Sequence, residues 1–245
     1  MQHKTFRILS LSTLVIIISL ACVYNYCITK KFDIGIILML KSSPLFMLIT
    51  LNASYVFIYR ITLYSFGLLV FLILCLVGDF FMALYSNQFI YLIAGGSFFL
   101  TARILLIFIL AFNIQYSLKT ILLSHIGFSI IFIILGILNI VREPTTISIL
   151  TSVYIILGFG IPLSYSYLRI GALNQESKMS SLFAFLGILI FNISDLLLFI
   201  CIFTDKFPSY VILISNNIYW LGIYLITISV VRSSEEYIEK GNVGI

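Results

Sequence analysis

Charge is what this chain lacks most: 9% of its 245 residues are Asp, Glu, Lys or Arg, against 62% apolar, with a mean hydropathy of +1.18. A water-soluble domain of this length cannot cover its surface with so few ionisable groups, so the soluble classes are excluded. Histidine is scarce too. His3 and His125 lie far apart, without Cys or carboxylate companions at ligand spacing, which argues against a tightly bound transition metal. The four cysteines, Cys22, Cys27, Cys75 and Cys201, fall in apolar runs, where a thiol behaves as a small hydrophobe, so no disulfide framework is expected. No Gly-x-Ser-x-Gly elbow occurs, which leaves a serine-nucleophile hydrolase unsupported. The net charge of +5 would suggest nucleic acid in a soluble protein. Here the basic residues are scattered over polar breaks, where they set topology, and no nucleic-acid partner is implied. The terminal Gly-Asn-Val-Gly-Ile matches no retention tetrapeptide, so endoplasmic reticulum and plasma membrane are not distinguished.

Long hydrophobic runs are what the chain has instead. A bilayer core of ~30 Å takes about 20 apolar residues per helix. The runs recur at that length and are continuous, whereas a membrane barrel would show short alternating strands. The expected fold is therefore all-α, a polytopic membrane helical bundle in a single transmembrane domain over 1–245. The spans fall near 8–28, 34–52, 61–85, 89–112, 119–140, 147–168, 181–203 and 210–231, with a polar tail over 232–245 leaving the membrane. The first run is too long for a signal-peptide core and lacks a small-x-small cleavage site before Lys30, so it reads as a retained span.

Eight spans place both termini on one side. With the N-terminus inside, Lys4, Arg7, Arg60, Lys119, Arg169, Lys178, Arg232 and Lys240 are cytoplasmic, against Lys30, Lys31, Arg142 and Lys206 opposite. That bias makes both termini cytoplasmic. Short polar breaks include a tight turn at Ser86, Asn87 and Gln88 and a longer loop from Arg169 to Met179. Gly95 and Gly96 in span four let neighbouring helices approach closely. Gly158, Gly160 and Pro162 in span six predict a kink whose freed backbone groups need partners. His125 in span five reads as interfacial or hydrogen-bonded.

The ionisable residues inside the spans carry the functional information. Leu76–Phe89, LVGDFFMALYSNQF, sets Asp79 in an apolar helical run, and Asn192–Phe207, NISDLLLFICIFTDKF, repeats the design with Asp195. A small residue, Gly78 or Ser194, precedes each aspartate. Asp at a helix centre costs roughly 2.5 to 3.5 kcal/mol on insertion scales, so its default reading is a functional site facing the protein interior. Spans three and seven point the same way, which suggests two four-helix halves related by a parallel repeat. At ~1.5 Å per residue, Asp79, Asp195 and Lys41 lie about 9, 12 and 10 Å from helix ends on one face, and Arg103 sits deeper, at ~21 Å. Lys41 can also snorkel to the interface. Two buried carboxylates suit acid-base hydrolysis, one protonated and one ionised. Lys41 or Arg103 could hold the ionised partner or bind a phosphate. The same layer suits a structural ion-pair network, or a proton or ion path in a transporter.

Several segments carry a resemblance: Gly78-Asp79, Gly96 to Phe99, Phe191-Asn192-Ile193-Ser194-Asp195, Tyr219-Trp220-Leu221-Gly222, and Lys41 with Pro44. Together, over Lys41 to Val231, they resemble the motifs of the YhhN family of lysoplasmalogenase-like membrane proteins. What the resemblance implies is hydrolysis of the vinyl ether bond of a lysoplasmalogen, giving a fatty aldehyde and a glycerophospho-ethanolamine or -choline, with no cofactor and no metal. The partners implied are a lysophospholipid substrate and the bilayer. The family's paired aspartates map onto Asp79 and Asp195 as catalytic residues, with Lys41, Arg103, Tyr219 and Asn216 expected at the substrate. Where the family's span four has a His and, three residues later, a Tyr, this chain has Arg103 and Leu106. An arginine is always protonated and cannot relay a proton as histidine does. It can clamp a phosphate or form a salt bridge that holds an aspartate ionised. The alternative class is a non-catalytic lipid-binding or transport protein on the same fold.

Overall fold

Apolar runs in a bilayer must satisfy their own backbone polar groups, and a helix does this within one segment. The computed structural model describes residues 2–84, 89–112, 118–142, 145–170, 178–204 and 209–239, and among them eight segments are helical, long and apolar enough to cross a membrane. They are α1 (Gln2–Thr29), α2 (Ile34–Ile58), α3 (Leu63–Leu84), α4 (Phe89–Ala111) and α5 (Leu118–Arg142). A composite sixth crossing is made of α6 (Thr146–Ile155), a π-helical segment Ile156–Gly160 and α7 (Ile161–Ile170), and α8 (Lys178–Thr204) and α9 (Ser209–Glu239) follow. The chain is an all-α polytopic membrane bundle. The turn expected at Ser86–Gln88, the break at Glu143–Pro144, the polar residues around Lys206, most of the loop after Arg169 and the last tail residues lie outside the described residues.

Two helices run past their expected ends, and buried polar contacts explain both. α2 continues through Asn52 to Ile58 because the Asn52 amide turns inward and donates to Ser65 O at 2.9 Å. α9 runs to Glu239 where the sequence predicts a departing tail. Ser233 and Ser234 are buried there, Ser233 Oγ accepting from Arg169 Nη2 at 2.8 Å and Ser234 bonded to Thr62. Pro44 sits inside α2 and cannot donate to the carbonyl four residues back. Ser43 Oγ donates to that Leu40 carbonyl at 2.8 Å instead, which keeps α2 continuous beside Lys41.

The tightest helix pairs are α8 with α9 and α3 with α4. On α8 the small residues Ser180, Gly187 and Ser194 recur every seventh position, and on α9 so do Ser215, Gly222 and Ser229. A seven-residue period keeps one stripe facing a partner helix. Run antiparallel, the two stripes meet rung by rung. Ser180 and Ser229 each donate to the other's carbonyl, at 2.8 and 2.7 Å. Ser194 and Ser215 do the same at 2.9 and 2.8 Å. Between them, a Cβ on Gly187 would meet Gly222 O at 2.9 Å, and one on Gly222 would meet Gly187 O at 2.9 Å. Small residues thus bring the backbones together, and interhelical hydrogen bonds lock the register.

α3 and α4 use the same device with glycine: the Phe99 ring lies over Gly78, and a Cβ on Gly95 would meet Met82 Cγ at 2.8 Å and Gly78 O at 3.2 Å. Leu68, Phe71, Phe159, Phe191 and Trp220 fill the core between these pairs and the sixth crossing, all essentially inaccessible to solvent, while α5 lies at the edge with most of its surface exposed.

Candidate functional site

Each aspartate follows a small residue that lies on the contact within its helix pair. Gly78 lies on the α3–α4 contact and Ser194 on the α8–α9 contact. The next residue is rotated ~100° around the helix, so Asp79 and Asp195 turn from their own pair's seam into the space between the pairs. The small-Asp pattern therefore has a packing cause. Both carboxylates are buried, at 3% and 8% exposure, and both line one cavity of about 140 Å³. Lys41, Tyr154, Asn216 and Tyr219 line it as well, amid apolar side chains of α4, α6 and α8.

The two aspartates have different surroundings. Asp195 Oδ2 accepts from Arg103 Nη2 at 2.7 Å and from the Tyr154 hydroxyl at 2.6 Å. The guanidinium is completely buried. Its Nη1 also donates to Gly158 O at 2.9 Å and to Asn192 Oδ1, and its Nε donates to Tyr154 Oη at 3.2 Å. The Phe191 ring stacks against it, 3.9 Å from guanidinium carbon to centroid. A buried cation of this kind is tolerated only when paired and saturated with acceptors, and Arg103 is both. Gly158 O is available because the π-helical segment breaks the α-helical ladder there. A Cβ on Gly158 would lie 3.0 Å from Arg103 Cδ, so glycine leaves the room that the side chain occupies.

Asp79 is more loosely held. Its Oδ1 lies 3.5 Å from Lys41 Nζ, and its Oδ2 is buried with no hydrogen-bond partner among the described residues. Tyr219 stands beside it, its buried hydroxyl without a hydrogen-bond partner among the described residues. Across the cavity, Asn216 Nδ2 donates to Tyr24 Oη at 2.9 Å, which ties α1 to the site.

A family model described as the YhhN family matches residues 36–230, most of the chain. The chain belongs to the YhhN family. No curated protein and no solved structure matches it. The YhhN match spans Lys41, both aspartates, Arg103, Tyr154 and Tyr219, so every member of the cluster except Tyr24 lies within it.

In this YhhN chain Asp79, Asp195, Lys41, Asn216 and Tyr219 meet at one cavity. Lys41 turns inward to Asp79 instead of snorkelling. Arg103 differs from expectation in depth. It reaches the carboxylate layer rather than lying below it, because helical side chains lean toward the N-terminus and α4 enters from the face nearest the aspartates. Of the two roles open to it, phosphate clamp and salt bridge, it makes the salt bridge: it stands behind Asp195, outside the cavity lining, with its donors on protein acceptors. Leu106, one turn further along, is a fully buried core residue. His125 is hydrogen-bonded to Ser164 Oγ at 2.6 Å. Sequence reasoning missed Tyr154 and Tyr24. Tyr154 lies four residues before Gly158, one helical turn from the expected kink, and that spacing is the signal by which it could have been found. Tyr24 sits in an ordinary apolar run and carried none.

Proposed function

We propose that this chain hydrolyses the vinyl ether bond of a lysoplasmalogen, an alkenyl-glycerophosphoethanolamine or -choline, to a fatty aldehyde and a glycerophospho-base. The observation that carries the reading is the pairing of two buried carboxylates on one cavity, one bound to a permanent cation and the other only loosely held. Arg103 makes Asp195 the standing carboxylate. Asp79, whose Oδ2 has no donor among the described residues, is the carboxyl that gives and takes the proton.

Asp79 protonates the alkenyl carbon β to oxygen, and the C=C electron pair forms the new C–H bond. The resulting oxocarbenium ion is stabilised by the Asp195 carboxylate on the same cavity. Water attacks the carbon bonded to oxygen, and its proton returns to Asp79. Collapse of the hemiacetal breaks the C–O bond to glycerol as the hemiacetal hydroxyl loses its proton to form C=O and the departing glycerol oxygen takes up a proton, which releases the aldehyde and the glycerophospho-base. Lys41, the cavity's one lining cation among the described residues, attracts the anionic phosphate of the substrate, and Tyr219 and Asn216 shape the wall.

The test is aldehyde release by purified protein from alkenyl lysophospholipid, run beside the acyl ester and the saturated alkyl ether. Release from the alkenyl lipid alone, lost in Asp79→Asn, is expected. Lipid binding without any release would favour the non-catalytic lipid-binding protein, in which the Arg103–Asp195 pair is structural.

A further inference from the structure

We infer that the cavity opens sideways into the bilayer between α4 and α6, and that this gap holds the hydrocarbon chain of a single-chain lipid whose polar end lies at the aspartates. Of the residues that line the cavity, those from α2, α3, α8 and α9 are buried or partly buried. Those that are themselves exposed fall on two helices only: Ile93 and Ser97 on α4, and Leu150 and Val153 on α6. Ile93, Leu150 and Val153 are 36, 46 and 41% exposed, so the cavity wall and the outer surface of the bundle are continuous there.

Helical phase makes this a mouth. Ile93 and Ser97, four apart on one face of α4, stand at its rim, while Gly96 and Leu100, rotated from them by roughly 60°, are less exposed and face the cavity. On α6, Leu150 and Val153 form the rim, and Thr151 and Tyr154, each one residue on, point inward to the buried side. Deeper in the membrane α4 packs on α7 and on the π-helical segment, which closes the gap below. A Cβ on Gly96 would meet nothing within 4 Å, so open space borders the backbone of α4 at this point.

The occupant follows from the medium and the size. Both rim helices belong to segments that cross the membrane, so what lies outside the mouth is lipid chain. A cavity of about 140 Å³ holds a guest near the size of benzene, which is a segment of a lipid and not all of it. The remainder runs out through a rim that is mostly alkyl. The choice of a lysophospholipid as that lipid rests on the proposed hydrolase reading; the position of the portal does not.

The portal is tested with a saturated alkyl-ether lysophospholipid carrying a photoreactive diazirine at mid-chain, which cannot undergo vinyl ether hydrolysis. Purified protein in nanodiscs is irradiated with and without excess unlabelled alkyl-ether lysophospholipid, and adducts are mapped by mass spectrometry. Labelling that competitor removes is expected on the α4 segment around Ile93–Ser97 and the α6 segment around Leu150–Val153. It should fall at least fivefold in Val153→Trp and in Ser97→Trp and stay unchanged in Ile133→Trp on α5. Competed labelling confined to other helices, or undiminished in both rim variants, overturns the portal. Correct labelling by a protein that releases no aldehyde keeps the portal and removes the hydrolase.

Discussion

Replacing Asp195 by Asn leaves Arg103 as a cation with no exposure and no counter-charge, since its other acceptors, Gly158 O, Asn192 Oδ1 and Tyr154 Oη, are neutral. Removing one partner of a buried ion pair costs about 3–5 kcal/mol. Asp79→Asn is the internal control. Its partner Lys41 is 3.5 Å away with 12% side-chain exposure, and a lysine can carry its ammonium toward the interface, so about 0–1 kcal/mol is expected. With about 2–4 °C of Tm per kcal/mol for a chain of this size, Asp195→Asn lowers Tm by roughly 6–20 °C, and Asp79→Asn by no more than about 4 °C. The cycle closes with Arg103→Met. Taking out both charges removes the uncompensated ion, so Arg103→Met/Asp195→Asn recovers at least half of the loss seen in Asp195→Asn. Thermal unfolding of the four variants and the wild-type protein in one detergent reads this directly. Equal shifts for the two aspartate variants, or additive losses in the double variant, would refute the claim that Arg103 and Asp195 act as one buried unit. The standing-carboxylate role of Asp195 would go with it.

Further outcomes follow from single contacts. Tyr154→Phe removes the 2.6 Å donor to Asp195 and the acceptor of Arg103 Nε. It costs about 1–2 kcal/mol of stability, read as Tm, and lowers aldehyde release in the hydrolysis assay. Gly95→Ala and Gly96→Ala, neighbours on α4, go opposite ways. The first drives a methyl to 2.8 Å from Met82 Cγ and 3.2 Å from Gly78 O and lowers Tm, whereas the second meets open space. Gly96→Ala gains up to about 1 kcal/mol of helix propensity. Gly222→Ala puts a Cβ 2.9 Å from Gly187 O and Phe191 N, both rigid backbone atoms, and prises α8 from α9. It lowers Tm more than Gly95→Ala does, because a flexible methionine can yield and a backbone cannot; equal shifts would count against the close-contact account.

The sequence by itself determined the class and most of the layout. A hydrocarbon solvent forces helices wherever about 20 apolar residues run together, and that is a local property readable without neighbours. The cost of an intramembrane carboxylate singled out Asp79 and Asp195 in the same way, and the small residue before each was visible as a pattern. The seven-residue recurrence of Ser180, Gly187 and Ser194 against Ser215, Gly222 and Ser229 was present too, but which helix a stripe faces is no property of the stripe. Only the tertiary structure decided the partners: Lys41 with Asp79, Arg103 with Asp195, Tyr154 on both, and Tyr24 on Asn216. Depth counted along one helix misplaced Arg103, because a long side chain leans out of its own level toward the helix N-terminus. The mouth between α4 and α6 was likewise hidden. Hydropathy reports that a residue is apolar, and whether it then meets lipid, core or a cavity rim depends on how two helices diverge, which the packing of the whole bundle sets.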